Sequence, residues 1–219
     1  MSTYYFLNGC KDYQYLINRG YPEKAVRKVV GDRYRLTGDQ RNALLRGVFS
    51  QEESMERRNK LIPFEQIQQN RIGIDWFNCL ITVESYLKGK PVFISTDNLI
   101  RDSAANHGSY RKTKITEKAL KTFYTAITSL EPIEAVFYID SPVSFSGKMA
   151  SDLRTMFRDR PEVSIEVTKS ADYPLKRFAG IVCTSDTIII NASTKVFDLA
   201  GYIITSLLAK KVSYITDLY

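Results

Sequence analysis

The sequence predicts an α/β fold: a mainly parallel sheet flanked by helices in a Rossmann-like three-layer arrangement, preceded by a helical N-terminal region. Three observations carry this. From Arg71 onward, short apolar runs rich in β-branched residues alternate with helical ones, the order that builds parallel strands joined by crossover helices. Before that point the pattern is helical. Three of the later apolar runs also end on an aspartate: Arg71-Ile-Gly-Ile-Asp75, Ala135-Val-Phe-Tyr-Ile-Asp140 and Ile181-Val-Cys-Thr-Ser-Asp186. A parallel sheet has one carboxyl edge, so three such ends converge there.

Residues 1–62 form the helical region and residues 63–219 the α/β domain. A first helix runs from Tyr4 to Ile17 and stops at Gly20-Tyr21-Pro22. Pro22 suits the first turn of a second helix reaching Val30. Thr37 and Gln40 have capping-box spacing and open a third helix from about Asp39 to Val48. The polar stretch from Gln51 to Asn59 either extends that helix or connects it onward. Strands are expected at 72–75, 91–96, 135–140, 163–168, 180–183 and 195–199. Helices are expected at 77–87, 116–130, 147–157 and 202–209. Thr187-Ile-Ile-Ile190 reads equally as a strand or as a short helix capped by Ser185. Residues 97–114 read as one long polar loop.

Composition narrows the function classes. The 219 residues carry 44% hydrophobic and 25% charged side chains, ordinary for a globular protein. The formal charge of +7 favours a polyanionic partner. Residues 1–70 hold 12 basic and 8 acidic side chains and the remainder 19 and 16, so the excess spans both parts. Cys10, Cys79 and Cys183 are far apart and form neither a disulfide framework nor a zinc pattern. With no signal peptide or membrane-length apolar run, the expected compartment is the cytoplasm. His107 is the single histidine, which excludes metal centres built on several imidazoles. Chemistry, where present, rests on carboxylates and a hard cation.

Asp75, Asp140 and Asp186 are the candidate catalytic and metal-binding residues, with Asp97 and Asp102 completing an oxygen-only set that suits Mg²⁺ or Mn²⁺. Asn78, three residues after Asp75, faces the same crevice. Asp75 has an alternative role as the cap of the helix that follows. The loop after Asp140 offers Ser144, Ser146 and Lys148 to a phosphate at a helix N-terminus. The polar loop adds Arg101, Ser109, Arg111 and Lys112 as backbone contacts. Glu84 and Asp198 are further acids that turn either toward the site or away from it.

Ile74-Asp75-Trp-Phe-Asn78-Cys-Leu-Ile resembles the opening strand and helix of PIN-like and NYN-type nucleases, with Asp140 and Thr184-Ser185-Asp186 similar to later acidic positions of that superfamily. The whole chain resembles a prokaryotic family, domain of unknown function 434 followed by a PIN-like domain of unknown function 5616. That likeness runs through Asn18-Arg-Gly-Tyr-Pro22, Val30-Gly-Asp-Arg-Tyr34, Arg46-Gly-Val-Phe-Ser50, Thr82-Val-Glu-Ser85, Gly108-Ser-Tyr-Arg111, Asp140-Ser-Pro-Val-Ser144 and Asp198-Leu-Ala-Gly201. It departs from the nuclease pattern at Trp76, where a glycine is usual. An indole there either stacks on a base or packs inside. The resemblance implies a Mg²⁺- or Mn²⁺-dependent nuclease, with RNA expected rather than DNA; from the charge of the chain, the basic N-terminal helices (Arg27, Lys28, Arg33, Arg35, Arg41 and Arg46) are expected to hold the flanking strand. The alternative is a non-catalytic RNA- or protein-binding module of the same fold.

Overall fold

The computed structural model describes residues 2–103, 110 and 112–217. Ser109, Arg111 and His107 lie outside them. Four helices come first: α1 (Ser2–Ile17), α2 (Glu23–Arg33), α3 (Gly38–Gly47) and α4 (Gln51–Arg58). The Thr37–Gln40 capping box forms as the spacing predicts. A second one, Ser50 with Glu53, makes α4 a helix in its own right rather than a connector.

The α/β part contains β1 (Arg71–Asp75), α5 (Trp76–Leu87), β2 (Val92–Ile94), β3 (Ile100–Asp102), α6 (Lys114–Leu130), β4 (Glu134–Asp140), α7 (Ser146–Met156), β5 (Val163–Thr168), α8 (Asp172–Leu175), β6 (Ile181–Cys183), α9 (Thr187–Ala192), β7 (Val196–Phe197) and α10 (Leu199–Tyr202). Five strands form one parallel sheet in the order β5-β4-β1-β6-β7. On one face Ile72, Ile74, Phe137 and Ile139 pack with α5, α6 and α7. On the other, Val136, Tyr138 and Val182 meet Leu175, Phe178 and Ile189. Gly73 lets that second layer approach, since a Cβ there would lie 3.0 Å from the Phe178 ring.

The helical region is docked, not tethered. Phe6, Tyr13, Val26, Val30 and Leu44 share one core with Phe93 of β2 and with Ile215. A Cβ on Gly47 would stand 2.4 Å from both Phe93 and Ile215, so the glycine permits the contact.

The structure changes or settles three readings of the sequence and adds one element. Residues 97–114 are not one loop: β3 pairs antiparallel with β2 across a turn at Ser95–Asn98 that the buried Leu99 and Ile100 anchor. Thr187–Ile190 is helical, and its cap is Asp186 rather than Ser185. The last helix begins at Leu199 and continues through a π-helical turn, Ile203–Leu207. Helix α8 was hidden by its own Pro174, a residue that reads as a helix breaker. Among the described residues no helix is long and apolar enough to cross a membrane.

Candidate metal centre at the carboxyl edge

From central β1 the chain passes outward to β4 and β5, then returns to place β6 and β7 on the opposite side. The order therefore reverses between β1 and β6. In open α/β sheets the crevice beyond such a reversal receives ligands. Asp75 closes β1, and Thr184, Ser185 and Asp186 follow β6 directly. Asp140 closes β4, the neighbour on the other side.

Hydrogen bonds fix this rim. The Thr184 hydroxyl donates to Asp75 Oδ2 at 2.7 Å and accepts from the Asp186 backbone N–H at 3.0 Å. Asn78 Oδ1 accepts from both the backbone N–H and the hydroxyl of Ser185, at 2.8 and 2.9 Å. Asp186 Oδ1 caps α9 by accepting from the N–H groups of Ile188 and Ile189. Asp140 Oδ1 accepts from the Ala171 N–H at 2.8 Å. Asp75 sits at the N-terminus of α5, yet its side chain makes no capping bond there. The capping role that competes with a site role at Asp75 belongs instead to Asp186.

Burial pushes the Asp75 carboxyl up to about 7; the Thr184 hydrogen bond opposes this, and the carboxylates of Asp140, Asp186 and Asp172 add to it. Asp172, which opens the hidden helix α8 and pairs with Lys176 at 3.2 Å, contributes to this field and was not revealed by the sequence. Asp75 forms no ion pair among the described residues. The rim thus concentrates negative charge around a buried carboxylate.

Oxygen donors of this kind suit Mg²⁺ or Mn²⁺. Among the described residues, however, no three acidic, histidine or cysteine side chains are grouped closely enough to hold an ion by themselves. Mg²⁺ characteristically keeps several waters and takes one or two carboxylates together with substrate phosphate. The residues present fit that mode of binding: Asp75 as a direct ligand, with Asp140 and Asp186 acting through water or by charge.

The remaining expected ligands lie elsewhere. Asp97 is buried and grips Arg101, with Nη1 to Oδ1 at 2.5 Å and Nη2 to Oδ2 at 2.9 Å. Burial alone would raise its proton affinity, but the Arg101 guanidinium outweighs that and holds the carboxyl below its usual range. Asp102 accepts from Thr82 at 2.9 Å and lies 3.4 Å from Arg46 Nη2. Neither joins the rim. Arg101 is fully buried rather than facing substrate, and its Nε donates to the Ser185 carbonyl at 2.9 Å. Arg46 is likewise engaged, donating to the Asp102 carbonyl.

Glu84 turns inward, where Tyr110 and Thr116 donate to it at 2.6 Å each and Lys88 pairs with it. Asp198 caps α10 and accepts from the Ile100 N–H at 2.7 Å. Burial raises its carboxyl to about 6, against those hydrogen bonds. Trp76 packs between Phe123 and Phe137 and has no exposed surface, which ends its prospect as a base-stacking residue. Ser146 donates to the Ser141 carbonyl. Ser144 and Lys148 do line an open cavity of about 630 Å³, together with Tyr110, Lys112 and Phe145, at the start of α7.

A family model described as domain of unknown function (DUF5616) matches residues 64–202, and one described as protein of unknown function (DUF434) matches residues 6–60. An uncharacterized protein of Methanocaldococcus jannaschii is 30% identical over 206 residues, which cover 94% of this chain and 95% of that protein. No solved structure matches the chain.

Proposed function

The chain belongs to the family described as domain of unknown function (DUF5616), and we propose that it is a Mg²⁺- or Mn²⁺-dependent nuclease of PIN-like type, hydrolysing phosphodiester bonds in single-stranded RNA. The observation that carries the reading is Asp75: a buried carboxylate at the sheet's reversal point, in the electrostatic field of other carboxylates and with no ion-pair partner among the described residues. Such a charge is costly unless something from outside offsets it.

When bound, the ion supplies charge neutralisation for the phosphoryl oxygens and acidifies water. The protein's own part is positional. Thr184 holds Asp75 Oδ2 in place and favours its ionised form. Asn78 locks the segment carrying Thr184 and Asp186 against α5. Lys112 and Lys148 line the cavity beside the Asp140 loop, where both pair with Asp152 at 2.7 and 3.8 Å, so two ammonium groups against one carboxylate leave a net positive charge toward the strand. That no closed acidic chelate forms among the described residues favours a second reading, an RNA-binding module without hydrolysis.

One assay separates the two: incubation of single-stranded RNA of mixed sequence with the full chain in millimolar Mn²⁺, with a chelator control. The nuclease reading expects metal-dependent cleavage that Asp75→Asn abolishes while RNA is still bound. Binding without cleavage at any metal concentration rejects it.

A further inference from the structure

A second cavity, of about 400 Å³, lies where the helical region faces the carboxyl edge. This size is within the range of small-ligand sites. Glu23 of α2, Arg46 of α3 and Glu53 of α4 form one wall; Asn78, Asp186 and Asn191 form the other. The cavity is therefore continuous with the candidate metal centre through Asn78 and Asp186.

Its chemistry does not suit phosphate. The guanidinium groups on its walls are already engaged by acids: Arg57 by Glu53 at 2.9 Å, Arg46 by Asp102, and Arg101 by Asp97. Glu23 and Asp186 have no ion-pair partner among the described residues, so an arriving dianion would meet an acidic surplus. The unused groups instead comprise acceptors and donors together. The Glu23 carboxylate accepts no hydrogen bond among the described residues. Asn78 and Asn191 have their oxygens occupied, by Ser185 and by Arg57 Nε respectively, which leaves their amide N–H groups available. Partial desolvation and the nearby Glu53 carboxylate also raise the proton affinity of the exposed Glu23, although Arg57 opposes this; a ligand that donates hydrogen bonds favours its ionised form.

We propose that this cavity is a nucleobase subsite, formed jointly by the helical region and the sheet edge, that selects guanine next to the scissile phosphate. Guanine presents two donors, N1–H and N2–H, which a single carboxylate accepts side by side, and a carbonyl oxygen that an amide N–H of Asn78 or Asn191 satisfies. Adenine reverses part of that pattern. Single-stranded RNA is read in this way, by hydrogen bonds to the base edges of unpaired nucleotides. The inference rests on the nuclease reading only for its account of what the neighbouring rim does to the strand.

The test uses full-length Asp75→Asn protein without metal and two probes: guanosine and adenosine monophosphates, and short unstructured RNAs differing by a single guanine-to-adenine change. We expect about tenfold tighter binding of the guanine form of each, in line with the discrimination of one bidentate base contact. Adding Glu23→Gln, a change at an exposed position, should remove the preference and leave the adenine affinity as it was. Equal binding of both bases, or a preference that survives Glu23→Gln, overturns the subsite. RNA cleavage with no guanine preference overturns the subsite and leaves the nuclease reading standing. A guanine preference sensitive to Glu23→Gln, in a wild-type protein that cuts nothing, supports the subsite and rejects the nuclease.

Discussion

Two aspartates of this chain are both buried, Asp75 at the end of β1 and Asp97 in the β2–β3 turn, and they hold protons oppositely. Asp97 meets Arg101 in a two-pronged contact and stays ionised below the usual carboxylate range despite burial. Asp75 accepts from one hydroxyl, stands in the electrostatic field of three other acids, and is pushed up to about 7, chiefly by burial. Burial is similar; the partner differs. The lesson is that the turn resolves its charge internally, whereas the sheet edge leaves its charge for something else to resolve. Only the second arrangement is receptive to an external cation.

The sharpest way to break this contrast is at Asp75. Asp75→Asn should cut metal-dependent RNA cleavage by about 10³-fold or more, because several kcal/mol of charge stabilisation depend on that carboxylate. It should also abolish stabilisation of the fold by Mn²⁺, read as the shift in Tm between chelator and millimolar Mn²⁺. Retention of either effect would mean that Asp75 is not the ligand. The mirror experiment is Arg101→Met. It leaves the buried Asp97 carboxylate with Arg57, 3.7 Å away, as its remaining cationic partner, and should cost about 3 kcal/mol of stability in denaturant melts. A loss under about 1 kcal/mol would show that the turn tolerates charge as the edge does.

Residue chemistry explains why one region was legible in the sequence and the other was not. Asp75, Asp140 and Asp186 each end a conspicuous apolar run, so local pattern places them at one edge. The parallel sheet follows from the same alternation of runs. Asp97 and Asp102 were assigned to the metal and Arg101 to substrate because their stretch is polar. Their burial depends on partners distant in sequence: Arg46 and Arg57 from the helical region, and Ser185 from the far side of the sheet. No periodicity records such contacts. Asp172 escaped for a different reason, since a four-residue helix containing Pro174 has no helical signature.

The contrast also has a pH signature. Asp75 binds its proton more tightly when folded than the ordinary value of 3.8 allows, so its contribution to stability is present at low pH and disappears as pH rises to about 7. Asp198, raised to about 6, acts in the same direction. In chelator, the wild type should therefore lose stability between pH 4 and pH 7, and Asp75→Asn should lose distinctly less. At about 2–4 °C of Tm per kcal/mol for a chain of this size, the difference between the two proteins is measurable by calorimetry. Identical profiles would show that Asp75 is already compensated, as Asp97 is.

The finest probe is Thr184, whose hydroxyl makes the only hydrogen bond to the Asp75 carboxylate among the described residues. Thr184→Val keeps the shape and removes the hydrogen bond, at a cost of about 1 kcal/mol above pH 8, where Asp75 is ionised. The cost should shrink at pH 5, because that bond stabilises the charged form. For the same reason the Asp75 carboxyl should move further above about 7, and the acid limb of any RNA cleavage should shift to higher pH with it. The bond also supports the Asp186 N–H through the same hydroxyl, so a uniform fall in rate at every pH would mean that Thr184 acts on the loop rather than on the carboxylate. A displaced limb with an unchanged plateau assigns its effect to Asp75.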